Sequence, residues 1–179
     1  LHRELLTGSP YVLDIGAEWQ RSYLPDSLVV NTHTYPVPQY LGRAFTVDML
    51  ATLTSLPFAT ASVDAVLCTE TLEHVPNLFR AVSELRRIVR PGGWLLLSTP
   101  FMWPDHANQY MGDFWRLTEQ AWRFLLQGSS QLMVVPTLPN ADNLARLRSY
   151  AVQEAMDIGG KFVESFATGY LAIAQMADG

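Results

Sequence analysis

Short apolar runs punctuate the chain, and most lack the strict alternation of a half-exposed strand. They read "YVLDI" (Tyr11–Ile15), "SLVV" (Ser27–Val30), "AFTV" (Ala44–Val47), "VDAVLC" (Val63–Cys68), "WLLLS" (Trp94–Ser98), "QLMVV" (Gln131–Val135) and "GYLAIAQ" (Gly169–Gln175). Near-continuous hydrophobicity over such lengths predicts strands covered on both faces. Between the fourth and fifth runs the period changes. Leu78, Ala81, Val82, Leu85, Ile88 and Val89 fall on one helical face, with Arg80, Glu84, Arg86 and Arg87 on the other. Asn77 is placed to cap this helix, and "RPGG" at Arg90–Gly93 is expected to end it and turn into the next strand. A second helix is expected from the Thr118 cap, with Glu119 in its first turn, to about Leu126 before Gly128. A third is expected over Asp142–Ile158. The segment Thr32–Gly42, "THTYPVPQYLG", holds two prolines that oppose a helix, so the crossover between the second and third strands should be short.

Strands alternating with helices predict an α/β fold: a single domain over residues 1–179 with a mostly parallel seven-stranded sheet and helices on both faces. Composition narrows the class. A chain of 179 residues, 49% hydrophobic and 16% charged, suits one globular domain with a sizeable core. The formal charge is −5, Lys161 is the only lysine, and "RR" at Arg86 and Arg87 is the only basic cluster, which disfavours duplex nucleic acid as a partner. Cys68 stands alone, excluding an intrachain disulfide and suiting a reducing cytoplasm. No apolar stretch is long enough to span a bilayer and no secretory signal is recognisable, so neither membrane nor export is expected. The chain opens at Leu1, which leaves room for an absent N-terminal piece.

In a parallel sheet of this kind the ligand crevice lies at the carboxyl ends of the strands. There the chain puts Asp14 and Gly16 after the first run, Asp48 after the third, Glu70 after the fourth, and Thr99, Pro100 and an aromatic-rich loop after the fifth. Several acids at one sheet edge suit a ligand rich in amine and hydroxyl donors. Neither "GxxxxGK[ST]" nor "GxGxxG" occurs, which disfavours ATP and dinucleotides.

Three segments, "YVLDIG", "VDMLATLTSLPFATASVDAVLCTETLEHV" and "ELRRIVRPGGWLLLSTPF", together resemble in order and spacing the class I S-adenosylmethionine-dependent methyltransferases of the small-molecule type. The resemblance spans most of Tyr11 to Phe101. "HANQYMGDFWRLTEQAWRFLL" is similar to a downstream segment of bacterial members and extends it to about Leu126. The resemblance implies the Rossmann-like methyltransferase fold, S-adenosylmethionine as cofactor, and methyl transfer to a small-molecule or saccharide-like acceptor. It also implies the cofactor-binding set Asp14, Gly16, Asn31, Asp48, Met49, Glu70, Thr71 and Leu72. Asp48 would accept the adenine amino group with the Met49 backbone beside the ring, and Leu56 and Phe58 could pack against it. Gly16 would let the loop approach the methionine part, while Glu70, Thr71 and Leu72 would line the pocket near the sulfonium. The local readings compete: Asp14 and Asp64 as turn or cap residues, and Leu56 as plain core.

Two departures bear on the cofactor. Glu18 and Gln20 replace later glycines of the family's loop, and Asn31 stands where an acid usually holds the ribose hydroxyls. An Asn can still accept one hydroxyl hydrogen bond, without charge assistance. Transfer from a sulfonium needs alignment and, for some acceptors, a general base. The candidate base is His106, with Asp105 and Asp113 near it in sequence; a loop histidine bonding locally is the alternative. His74 in "LEHV" reads as an anchor of its turn, and His33 as an undistinguished loop residue. His106, Asp105 and Asp113 match no strong ligand spacing, so no metal is expected. Phe101, Met102, Trp103, Tyr110, Met111, Phe114 and Trp115 could wall an acceptor pocket, cover the sheet edge or form a homodimer contact. Arg116 is expected to brace Asp113. The alternative to an enzyme is a methyltransferase-like domain without turnover that serves as a scaffold; a nicotinamide oxidoreductase is a distant third.

Overall fold

The computed structural model describes residues 11–16, 28–31, 48–108, 111–137 and 169–178. Among the described residues, seven strands form one sheet: β1 (Val12–Ile15), β2 (Leu28–Asn31), β3 (Met49–Leu50), β4 (Val63–Thr69), β5 (Val89–Pro100), β6 (Gln131–Thr137) and β7 (Gly169–Gln175). Their spatial order is β3-β2-β1-β4-β5-β7-β6. The first five pair in parallel, and β7 runs antiparallel to both β5 and β6. The strand order reverses direction between β1 and β4, which places a crevice at the carboxyl ends of those two strands.

Two helices are described. Helix α1 (Leu78–Ile88) is capped by Asn77, whose side chain accepts from the Arg80 amide at 3.1 Å. Its apolar face buries Leu78, Ala81, Val82, Leu85 and Ile88 in the main core with Leu13, Ile15, Val66 and Leu97. Helix α2 (Glu119–Leu125) is capped by Thr118, which accepts from the Ala121 amide at 3.2 Å, and it buries Trp122 completely. The polar face of α1 is not simply solvated. Glu84 is buried beneath Arg80 and Arg87, while Arg86 reaches across to the carbonyls of Leu125 at 3.2 Å and Gln127 at 2.9 Å.

Two sequence expectations are corrected. "RPGG" does not separate helix from strand, because α1 passes directly into β5 and Arg90–Gly93 lies within that strand. The extra residues form an irregularity in which Val63 pairs with Val89 but Ala65 pairs with Trp94. Gly92 supplies the positive φ of 70° there, and a Cβ on Gly93 would strike Val89 and the Asp64 carbonyl. Of the third strand the described residues include Met49–Leu50, with Asp48 immediately before them. Asp14 occupies the interior of β1, paired beside Val29 and Leu67 and fully buried, instead of a turn. Residues 44–47, the Thr32–Gly42 crossover and the expected helix over Asp142–Ile158 lie outside the described residues, as do Glu18, Gln20, His33 and Tyr110.

Candidate active site

The carboxyl ends of β1 and β4 meet through Gly16 and Thr71. The Gly16 amide donates to the Val30 carbonyl at 3.0 Å, tying the end of β1 to β2. Gly16 has φ 84°, and a Cβ there would lie 1.9 Å from the Thr71 hydroxyl. The glycine is therefore demanded both by its backbone conformation and by the approach of Thr71. Thr71 is buried and donates to the Thr69 carbonyl at 2.9 Å, with a longer contact to that of Ile15 at 3.4 Å. The next residue, Leu72, is fully buried in the core. Of the expected cofactor set, Gly16, Glu70 and Thr71 are thus brought to one strand edge, with Thr71 turned into local packing. Asn31 ends β2 in register with Leu50, and Met49 packs partly buried against the core. Leu56 is core, as its plainer reading holds, and Phe58 packs partly buried against the same core.

Glu70 is the strained residue of this edge. It adopts a left-handed φ of 49°, a conformation that costs a non-glycine residue on the order of 1 kcal/mol. Ser98 on β5 holds it twice: the Glu70 amide donates to the Ser98 carbonyl at 3.1 Å, and the Ser98 hydroxyl donates to the Glu70 carboxylate at 2.7 Å. Part of the residue is exposed to solvent, and desolvation of its carboxyl raises its pKa despite the opposing Ser98 bond.

Beyond Glu70 the chain makes a short 3-10 turn, Leu72–His74, whose Glu73 is buried at 1% exposure. Burial first, then the charge of Glu70, push the Glu73 carboxyl up to about 8. The His74 ring packs edge-on against that of His106, with centroids 4.8 Å apart. His74 Nδ1 lies 2.6 Å from the Gly112 carbonyl, so this histidine does anchor its turn, and it anchors it to the loop after β5.

That loop is organised around Asp113. Arg116 grips its carboxylate with both terminal nitrogens and also donates to the carbonyls of Trp103 at 3.2 Å and Pro104 at 3.1 Å. The bidentate Arg116 contact holds Asp113 far below the usual carboxylate range, at about 2, and buries it as a permanent anion. On its other side Asp113 accepts the His106 amide at 3.0 Å and faces His106 Nδ1 at 2.9 Å. Asp105 is turned to the local Ala107 amide at 2.8 Å. Trp115 donates to the Val75 carbonyl at 2.9 Å, Phe101 packs against Tyr170, and Phe114 is half exposed. Trp115 thus braces the loop, Phe101 packs on the sheet, and Phe114 presents its ring to solvent. Sequence reasoning passed over Glu73 and Ser98. The only signal for Glu73 was an acid inside an otherwise apolar "TLEHV" turn, a poor place for a solvated charge.

Residues 18–97 match the family model described as a methyltransferase domain. An uncharacterized methyltransferase of Mycobacterium sp. (strain KMS) is 44% identical over 66 residues, covering 37% of this chain and 25% of that protein. A ubiquinone biosynthesis O-methyltransferase of Paracidovorax citrulli is 51% identical over 39 residues, covering 22% of this chain and 16% of its own. The matches therefore span a quarter or less of these curated relatives. In fold, a crystal structure of an S-adenosylmethionine-dependent methyltransferase from Thermotoga maritima superposes with a TM-score of 0.63 at 17% identity, covering 97% of this chain and 85% of that one. Residues 18–97 thus carry the methyltransferase-domain match, and across nearly its whole length the chain shares the fold of S-adenosylmethionine-dependent methyltransferases.

Proposed function

We propose that the protein binds S-adenosylmethionine at the carboxyl ends of β1 to β4 and transfers its methyl group to an oxygen or nitrogen of a small-molecule or saccharide-like acceptor. The residue types suit the cofactor: Gly16 makes a glycine-tight junction, and the acidic Glu70 beside it, Asp48 just before β3 and Asn31 as the last residue of β2 are of the kinds that accept from amine and hydroxyl donors. When bound, the cofactor supplies an electrophilic sulfonium methyl. The chain's own residues then have two tasks, alignment and removal of the acceptor's proton.

The observation that carries the reading is the His106–Asp113–Arg116 arrangement in the loop after β5. Asp113 can only accept, so it fixes the proton of His106 on Nδ1 and leaves the Nε2 lone pair to take a proton. Arg116 keeps Asp113 ionised for that purpose. The aromatic loop around it gives the acceptor an apolar wall. The ubiquinone-pathway enzyme is matched over only 39 residues, 16% of its own length, so its acceptor is not carried over. The single, fully buried Cys68 suits a cytoplasmic setting.

Calorimetric titration with S-adenosylmethionine and S-adenosylhomocysteine tests the reading. Both should bind, and Asp48→Ala should weaken S-adenosylhomocysteine at least about tenfold, the loss of one charged acceptor. His106→Ala should lower turnover far more than cofactor affinity once an acceptor is in hand. Failure of the wild type to bind either ligand would favour the scaffold reading.

A further inference from the structure

The Glu73 side of the site holds a second chemistry. One ring nitrogen each of His74 and His106 and one carboxylate oxygen of Glu73 lie within 4.8 Å of one another. They come from two separate segments, the turn after β4 and the loop after β5. We propose that Glu73, His74 and His106 bind one divalent transition-metal ion of the zinc class.

Hydrogen bonding prepares both imidazoles as ligands. A carbonyl only accepts, so His74 Nδ1, at 2.6 Å from the Gly112 oxygen, carries the proton of the neutral ring. His106 Nδ1 faces two acceptors, Asp113 at 2.9 Å and the Pro104 carbonyl at 3.3 Å, and carries its proton for the same reason. Each ring thereby has its lone pair on Nε2. Second partners of this kind, one backbone carbonyl and one carboxylate, are what orient metal-bound histidines.

Glu73 supplies the independent observation. It is 1% exposed, and its Oε2 has no hydrogen-bond partner. Its Oε1 lies 3.6 Å from His74 Nε2, so a carboxylate oxygen and a ring nitrogen bearing a lone pair face each other in a desolvated space. A proton or a cation between them would offset that desolvation. Arg116, the nearby cation, directs its bonds to Asp113, Trp103, Pro104 and Trp115. A proton shared by Glu73 and His74 would reconcile that pair alone, whereas a metal ion would engage all three ligands. Bonds of about 2.0–2.1 Å in a tetrahedral site bring donors to about 3.3 Å from one another, a closure that rotation of the partly exposed His106 can supply. Two imidazoles and one carboxylate suit zinc or ferrous ion and leave a fourth position open; magnesium prefers an all-oxygen shell.

Binding of the ion and acceptance of the acceptor's proton use the same nitrogen of His106, so the loaded protein is not competent for base catalysis. Only this consequence rests on the proposed methyl transfer. The test therefore omits cofactor and acceptor: the full chain, stripped by a chelator, is titrated calorimetrically with Zn²⁺ and with Mg²⁺, and Co²⁺ is added to read visible d–d absorption. The expected result is one Zn²⁺ per chain at micromolar strength, much weaker Mg²⁺, and a tetrahedral cobalt spectrum. Glu73→Gln and His106→Ala, each with an unchanged circular dichroism spectrum, should both weaken Zn²⁺ by at least about tenfold. No stoichiometric zinc, or equal affinity in both variants, overturns the site and leaves a proton shared by Glu73 and His74. A protein that binds zinc but no S-adenosylmethionine would sink the methyl-transfer reading and leave this one standing.

Discussion

Glu84 and Glu73 are both buried glutamates on elements that follow β4, and they end in opposite electrostatic states. Glu84, on α1, accepts from Arg87 Nε at 3.1 Å and Nη2 at 2.8 Å, from the Leu56 amide at 3.1 Å, and pairs with Arg80 at 3.2 Å. Its pKa is lowered, first by the Arg87 hydrogen bonds. Glu73 has no hydrogen bond to one oxygen and a histidine beside the other, and burial raises its pKa to about 8. Depth of burial is the same in kind. The partners decide whether the carboxylate is a structural anion or a reactive group. Glu84 closes the helix onto the loop through Leu56, and Glu73 sits open-valenced next to the proposed chemistry.

The comparison can be broken first at Glu84. Glu84→Ala removes the anion that Arg80 and Arg87 neutralise, and it leaves the Leu56 amide without its acceptor. The loss should be about 3 kcal/mol in urea denaturation, at the low end for a buried pair because both arginines keep solvent contact. A loss below about 1 kcal/mol would mean the cluster behaves as a surface pair.

Asp113 gives the next largest effect, and its sign in pH is opposite to that of Glu73. Its folded pKa, about 2, lies below its ordinary 3.8, so it contributes stability above about pH 4 that is lost as pH falls through 2. Denaturation curves should show the wild type losing on the order of 2 kcal/mol across that window. Asp113→Asn should be less stable at pH 7 and lack the loss.

Glu73 sharpens the contrast. Its folded pKa is raised from 4.5 to about 8, so its contribution is fully present below about pH 4.5 and declines as pH rises through 8. In chelator, stability should fall by up to about 1.4 kcal/mol per pH unit within that range, and Glu73→Gln should flatten the slope. An unchanged slope would show that Glu73 is ionised in the folded protein.

The smallest expected effect is at Asn77. Asn77→Ala removes the α1 cap and frays the turn that carries Arg80 toward Glu84, at a cost of about 1 kcal/mol. In a Glu84→Ala background part of that cost should vanish, because the two sites share Arg80.

The two glutamates also differ in how far the chain announced them. Glu84 and its arginines stand three and four residues apart, so the helical period alone puts them side by side. The caps at Asn77 and Thr118, the buried strand runs Val63–Cys68 and Trp94–Ser98, and the parallel α/β fold followed from period, turn chemistry and apolar runs for the same reason: those forces act over a few residues. Where local signals conflicted they misled, as at "RPGG", which looks like a stop but serves as an irregular start to β5. Glu73 and His106 are different. Nothing near "TLEHV" predicts Gly112 as the partner of His74, and nothing near "PDH" predicts the His74 ring against His106. His106 could be named as a candidate because a histidine in a strand-end loop is chemically suggestive. Its Nδ1 proton, its anionic support from Asp113 and its meeting with Glu73 needed β4 and β5 side by side, with their following loops folded onto each other. Those contacts join residues far apart in the chain, and their energies depend on desolvation, which only a closed tertiary structure creates.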